Sequence, residues 1–302
     1  FLFMLFTFSC LVIVSVIILI AVSFYTLYER KILRLSHIRL GPNIVGYFGL
    51  LQPFRDAIKL FSKTYSTPSN RNLLGVIACP ILSVTVSLFV WSAVPWLTGF
   101  TQAKIMFLIV IIRMSVSGIL HLGVGWASNS MYAIVGSLRC LAQGVRYEVR
   151  LAVLFLIFAL PSLSIDLLWF YVDVPRGLLL IPLSIMWCIR CLAERNRSPL
   201  DFAEGESELV SGFNVEYRGV YFALLFISEY TNIIFLSLIT TLLLLGVRSL
   251  GLVTITLIII HLFVWVRASY PRTRYDKLII VCWKLILPSI LYVIILCLFI
   301  IL

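Results

Sequence analysis

Long apolar runs alternate with short polar and basic segments along this chain. The runs lie near 2–28, 73–97, 103–123, 146–167, 177–194, 219–246, 250–270 and 278–302. Each approaches the roughly 20 residues that a helix needs to cross hydrocarbon. None alternates with period two, which excludes a transmembrane barrel. In lipid the backbone must satisfy its own hydrogen bonds, so the runs predict helices. The expected fold is all-α: a polytopic membrane protein with about eight transmembrane helices plus one amphipathic surface helix. Residues 1–302 are read as a single membrane domain. Asp166, Asp173 and Pro175 blur the boundary between the fourth and fifth runs, and Pro182 is tolerable in a membrane helix. The run 1–28 is too long for the apolar core of a cleaved signal and lacks a basic leader, so it is expected to be a retained first span. No internal repeat is visible, and nothing suggests an inverted-repeat transporter.

The amphipathic helix is read from Gly49 to Lys63. At 100° per residue, Leu50, Leu51, Phe54, Ala57, Ile58 and Phe61 share an arc of roughly 120°. Gln52, Arg55, Asp56, Lys59, Ser62 and Lys63 take the opposite arc, and Pro53 sits in the first turn. Such a helix lies flat at a membrane surface. It serves either as a plain anchor or as the wall of an entry for an amphiphilic molecule. Just before it, Arg39-Leu-Gly-Pro-Asn43 reads as a tight turn.

Composition strengthens the membrane reading. Of 302 residues, 62% are hydrophobic and 12% charged, against about 25% charged in a soluble domain. The net charge of +11 suggests topology and anionic lipid, not nucleic acid, because the basic residues sit between apolar runs. Apart from Lys104, Arg176, Arg248 and Arg113 within the third run, every Lys and Arg falls in one alternate set of loops or the adjoining helix ends. By the positive-inside rule that set faces the cytoplasm or the mitochondrial matrix, with both termini opposite. All acids except Asp166 and Asp173 fall on the same side or in helix ends leading from it. Acids contribute little to topology, so their clustering calls for another cause.

The segment 192–217 is the densest in acids: Glu194, Asp201, Glu204, Glu206, Glu208 and Glu216. If helical, Asp201, Glu204 and Glu208 share a face and Glu206 points away. Carboxylates so close, packed beside Leu209, Val210 and Phe213, cannot all ionise cheaply, so some become proton carriers near neutral pH. The alternative is a solvated acidic loop. Glu229, within the sixth run, and Glu148, at the expected start of the fourth, sit in apolar surroundings. Intramembrane acids of this kind are functional candidates, with an ion pair to Arg146 or Arg150 as the rival explanation.

Other chemistry is weakly signalled. No phosphate-binding glycine loop occurs. Cys188 and Cys191 form a C-x-x-C without a second pair, and read as helix packing. His37, His121 and His261 are isolated and expected to be structural. No iron–sulfur spacing or haem-ligating pair is present, so any redox centre belongs to a partner, and no metal site is expected.

Four segments carry a resemblance. They are Glu29-Arg-Lys-Ile-Leu33 with Arg39 and 41–61; 193–217 running on to Glu229-Tyr-Thr-Asn-Ile-Ile234; Tyr270-Pro-Arg272 with Arg274-Tyr-Asp-Lys-Leu278, Trp283 and Lys284; and Gly125-Trp-Ala-Ser-Asn-Ser130 with Tyr147-Glu-Val149. In these segments the chain resembles the subunit 1 family of mitochondrial NADH–ubiquinone oxidoreductase, respiratory complex I. The resemblance implies an inner-membrane subunit whose charged loops (29–72 and 194–218) face the matrix. It implies ubiquinone as substrate, other membrane-arm and peripheral-arm subunits and membrane lipid as partners, and flavin and iron–sulfur clusters on partner subunits. Carried over, the quinone side maps to Arg30, Arg39, Gln52, Phe54, Asp56, Phe213 and Arg274. The proton relay maps to Glu148, Glu194, Asp201, Glu204, Glu206, Glu208, Glu216 and Glu229. Arg34, Leu40, Thr64, Arg195 and Arg218 depart from the family's usual residues. Two other classes remain open at this point. One is a stand-alone ion transporter using the acids as its path. The other is a structural anchor for a soluble enzyme.

Overall fold

The computed structural model describes residues 2–63, 72–94, 106–159, 181–194, 197–201, 212–245 and 250–301. Among the described residues the chain is helical, with no strand. The helices are α1 (Leu2–Ser36), α2 (Gln52–Ser62), α3 (Leu73–Phe89), α4 (Met106–Ala127), α5 (Met131–Ala159), α6 (Ile181–Glu194), α7 (Gly219–Leu245), α8 (Leu250–Ser269), α9 (Tyr275–Ile280) and α10 (Leu287–Ile301). A π-helical stretch, Val281–Ile286, joins α9 to α10. Among the described residues, Ser9–Ser36, Leu108–Ala127, Gly219–Leu244 and Gly251–Ser269 are long and apolar enough to cross a membrane alone. Their outer faces leave Ile13, Ile17, Ile112, Leu257 and Ile258 exposed, as lipid-facing side chains would be. The chain is therefore an all-α polytopic membrane protein.

Helix α7 is the pillar of the bundle. It packs against α1, α2, α3, α6 and α8, and Leu225, Phe235, Leu236, Ile239, Leu242 and Leu243 are buried along it. Its buried hydroxyls are satisfied locally. Ser237, Thr240 and Thr241 donate to the carbonyls three residues back, at 2.6 Å each, so they can enter an apolar core without an orphaned donor.

Helices α4 and α5 form a hairpin around Ser128–Ser130, where Asn129 takes the left-handed conformation (φ 50°). Gly125 lets them close: a Cβ there would collide with the Ser137 side chain and the Ala133 carbonyl. The hairpin revises two expected boundaries. The fourth helix starts at Met131, not near 146, and the third runs on to Ala127. The first half of α5 carries Ser137, Arg139, Gln143 and Arg146, which lower its hydropathy below that of a lipid-facing run. Ser137 and Gln143 are nonetheless buried between helices. Glu148 consequently lies inside α5, not at its start. The first helix also extends past residue 28, to Ser36.

The amphipathic α2 forms as expected, with Pro53 buried in its first turn. It rests on α1 and α7. Phe54, Ile58 and Phe61 stay largely exposed, so its apolar side is left open to lipid, quinone or partner. The loop ahead of it depends on Gly49 (φ 76°), where a Cβ would strike the Pro42 carbonyl.

Gly125→Val should splay the α4–α5 hairpin. Overpacking of this kind costs about 1–3 kcal/mol. A lower yield of the folded chain and a lower thermal midpoint in detergent are expected, with Gly118→Ala, where a Cβ meets open space, as the silent control.

Candidate functional site

Among the described residues, three carboxylates inside the bundle each meet a guanidinium. Glu29 is buried near the end of α1. It pairs with Arg267 from the last turn of α8 and accepts a hydrogen bond from Tyr230 OH at 2.7 Å. Glu229, one residue earlier on α7, pairs with Arg197 at 3.4 Å, both side chains 11% exposed. The Arg197 guanidinium in turn lies over the Tyr230 ring, 4.8 Å from its centroid. Glu194 closes α6 and pairs with Arg190 one turn earlier, at 3.5 Å. Arg190 also donates to the Tyr147 carbonyl at 3.2 Å.

Glu194 and Glu229 face one cavity. It measures about 40 Å³ and is lined also by Ser117, His121, Cys140, Gln143, Tyr147 and Asn232. One water needs about 10–15 Å³ of such volume, so the site has room for water. Several of its polar atoms have no protein partner: His121 Nδ1, Gln143 Oε1 and Asn232 Oδ1. Gln143 donates through its amide nitrogen to the Ala193 carbonyl at 2.8 Å, which fixes α5 against the end of α6. Unpartnered buried acceptors around a space of this size are what a small water cluster would satisfy.

A second polar cluster adjoins Glu29 through its neighbour Arg30. Arg30 pairs with Asp56 of α2 at 2.6 Å, and Gln52 donates to the same carboxylate at 2.9 Å. Phe54 meets Phe24 edge-on, centroids 6.2 Å apart. The predicted residues Arg30, Gln52, Phe54 and Asp56 are thus gathered where α2 crosses α1. Arg39 lies exposed in the following turn. Phe213 stands elsewhere: it is buried against the His121 ring, at 5.2 Å between centroids. Arg274 pairs with Asp276 on the surface at 3.4 Å.

Of the predicted acids, Glu194 and Glu229 share the cavity. Glu148 is half-buried on α5, between the cavity residue Tyr147 and the buried Arg150. Asp201 faces Arg272, which also donates to the Asp201 carbonyl. Glu216 sits half-buried in the turn before α7. Glu204, Glu206 and Glu208, with Arg195 and Thr64, lie outside the described residues.

Sequence reasoning left Glu29, Arg190, Arg197, Tyr230, Arg267, Gln143, His121 and Asn232 out of the site. Glu29 had a usable signal, an acid closing an apolar run. Arg190 had one as well, four positions before Glu194 on one helix, whereas Arg197 and Arg267 had none, because their partners lie 32 and 238 positions away.

Removing one partner of a buried pair strands the other charge, at about 3–5 kcal/mol. Arg197→Leu should therefore destabilise far more than Arg197→Leu combined with Glu229→Leu. Thermal denaturation of the single and double variants checks this. Equal losses in both would show that the pair is not coupled.

The chain matches the family model described as NADH dehydrogenase over residues 8–298. It is 43% identical over 279 residues to NADH-ubiquinone oxidoreductase chain 1 of Artemia franciscana, covering 91% of this chain and 92% of that one. Chain 1 of Phascolarctos cinereus is 44% identical over 285 residues, covering 90% and 89%. That of Lampetra fluviatilis is 42% identical over 288 residues, covering 91% and 90%. An all-helical membrane bundle with acids buried among its helices, matched at this identity over nearly all its length, belongs to the NADH dehydrogenase family, that of chain 1 of NADH-ubiquinone oxidoreductase.

Proposed function

We propose that this chain is a core membrane subunit of a proton-pumping NADH:ubiquinone oxidoreductase in the mitochondrial inner membrane, its charged loops on the matrix side. In this reading it forms much of the ubiquinone tunnel and begins the acidic relay that couples quinone reduction to proton translocation. The chain acts as one membrane domain, 1–302. Electrons arrive from flavin and iron–sulfur centres on partner subunits, which this chain does not supply.

One observation carries the reading. Short charged contacts run from α2 into the bundle in two stretches, which meet at the consecutive residues Glu29 and Arg30 of α1. Asp56 holds Arg30. The next residue in the chain, Glu29, holds Arg267 and Tyr230. The Tyr230 ring carries Arg197, Arg197 holds Glu229, and Glu229 opens on the cavity with Glu194. A stand-alone anchor has no use for such a path, which costs desolvation at its buried members Glu29, Arg197 and Glu229.

The chemistry follows. Ubiquinone approaches along the exposed apolar side of α2, where Phe54, Ile58 and Phe61 suit its ring and tail. Arg30, Arg39, Gln52, Asp56, Phe213 and Arg274 are the residues proposed to guide it. Two electrons and two protons convert the quinone to quinol. Protons drawn from nearby acids, or negative charge created before they arrive, unbalance the Asp56–Arg30 and Glu29–Arg267 pairs. A carboxylate whose guanidinium is pulled elsewhere binds a proton more readily. Such coupled groups titrate as a set, so the change passes to Glu229 and Glu194. Glu148, Asp201, Glu204, Glu206, Glu208 and Glu216 extend the set toward the membrane partners.

Glu229→Gln or Glu204→Gln, in membranes holding the assembled complex, should reduce quinone-linked NADH oxidation about tenfold or more, in line with loss of a proton-transferring group. NADH oxidation by an artificial acceptor should be unchanged. Wild-type quinone turnover in both would favour the anchor. Proton transport by the purified chain alone would favour the transporter.

A further inference from the structure

His121 is not used by the relay described above, yet it borders two cavities. One is the Glu194–Glu229 cavity. The other measures about 10 Å³, near the lower limit for a single water, and is lined by Ser83, Ser87, Arg113, Ser117, Ser228 and Asn232. His121, Ser117 and Asn232 line both, so they form the wall between them. The imidazole Nδ1 is buried and has no hydrogen-bond partner. Its ring is held edge-on by Phe213, which leaves the nitrogen presented but unsatisfied. A histidine with a purely structural role keeps its nitrogens bonded.

The second cavity ends on a cation. Arg113 is 3% exposed. Among the described residues its Nε has no partner, and its guanidinium meets the Met114 sulfur at 3.9 Å and the Phe235 ring at 5.5 Å. Eight residues of α4 separate it from His121, about 12 Å along the axis. The two cavities therefore lie side by side along the same stretch of α4, from Arg113 and Met114 to His121.

Resting on the relay reading above, we propose that His121 carries protons between the Glu194–Glu229 cavity and the serine-lined cavity at Arg113, giving the relay a branch inside this chain. A carboxylic acid at Glu229 or Glu194 gives its proton to cavity water and becomes a carboxylate. The water hands the proton to Nδ1, and the proton on the other ring nitrogen leaves into the second cavity. The ring is neutral before and after. The groups facing it set its charge: Arg113 on α4 itself, Cys140 and Tyr147 on α5, Glu194 with Arg190 on α6, and Glu229 with Arg197 at α7. Arg113 lines the second cavity with His121, so its charge acts on any proton crossing between the cavities.

The test uses sealed membrane vesicles holding the assembled complex, with NADH oxidation by an artificial acceptor as the assembly control. His121→Gln keeps the polarity and removes the relay. Its quinone-linked rate should fall about threefold to tenfold, less than for loss of a sole general acid–base group. Its pH profile should change shape. Arg113→Gln should shift the pH profile of quinone-linked turnover when His121 is present and leave it unmoved in the His121→Gln background. A wild-type rate and pH profile in His121→Gln, with Glu229→Gln slow, overturns this proposal and leaves the relay reading standing. Should His121→Gln not assemble, an unshifted profile in assembled Arg113→Gln overturns the proposal equally. Wild-type turnover in Glu229→Gln removes the relay, and this branch with it.

Discussion

A carboxylate inside a helical bundle is stable only beside a fixed counter-charge, because desolvation otherwise costs several kcal/mol. This chain solves the problem three times with arginine. Arg267 holds Glu29, Arg197 holds Glu229 and Arg190 holds Glu194. The planar guanidinium suits the task because it stays charged and can serve a carboxylate and an aromatic face together. Arg197 does both, with Glu229 on one side and the rings of Tyr230 and Phe226 on the other. The first pair ties α1 to α8, the second ties the segment after α6 to α7, and the third lies within α6.

Such pairs tie the helices, yet they also make them sensitive to charge. Arg197 and Arg190 each hold a second partner besides their acid, the Tyr230 ring and the Tyr147 carbonyl. Asp56 on the surface helix α2 holds Arg30, while Glu29 leads through Tyr230 and Arg197 to Glu229, which lines one cavity with Glu194. The buried cations Arg113 and Arg150 add positive potential without a carboxylate of their own among the described contacts. Arg150 lies over the Tyr147 ring at 5.0 Å, and Tyr147 accepts a hydrogen bond from Cys282 Sγ at 2.8 Å. That cysteine sits in the π-helical turn between α9 and α10. π-turns inside helices recur at functional sites, and this one brings the last helix into the polar centre.

The sequence made the membrane class and the amphipathic α2 legible, because both rest on periodicity and run length. The start of α5 was not legible. Hydropathy treats Ser137, Gln143 and Arg146 as loop residues, whereas packing against α4 and α6 supplies partners that a linear scan cannot see. Glu229 stood out as an acid in apolar surroundings and Glu194 as a member of the acid-dense segment, and both line one cavity. Their arginines did not stand out, since positive charge near helix ends is what topology alone predicts. His121 reads as an isolated core histidine in sequence. Only its open nitrogen and the cavities on either side of it give it a role.

The central claim is that buried carboxyls change protonation when quinone is reduced. Infrared difference spectroscopy of the assembled complex, reduced minus oxidised, reads this directly in the protonated carboxyl C=O region. The account predicts a carboxyl band that appears or vanishes on reduction, shifts in D₂O, and is lost in a variant lacking the Glu194 carboxyl. A difference spectrum with no carboxyl band in that region, from a complex that reduces quinone normally, would contradict it.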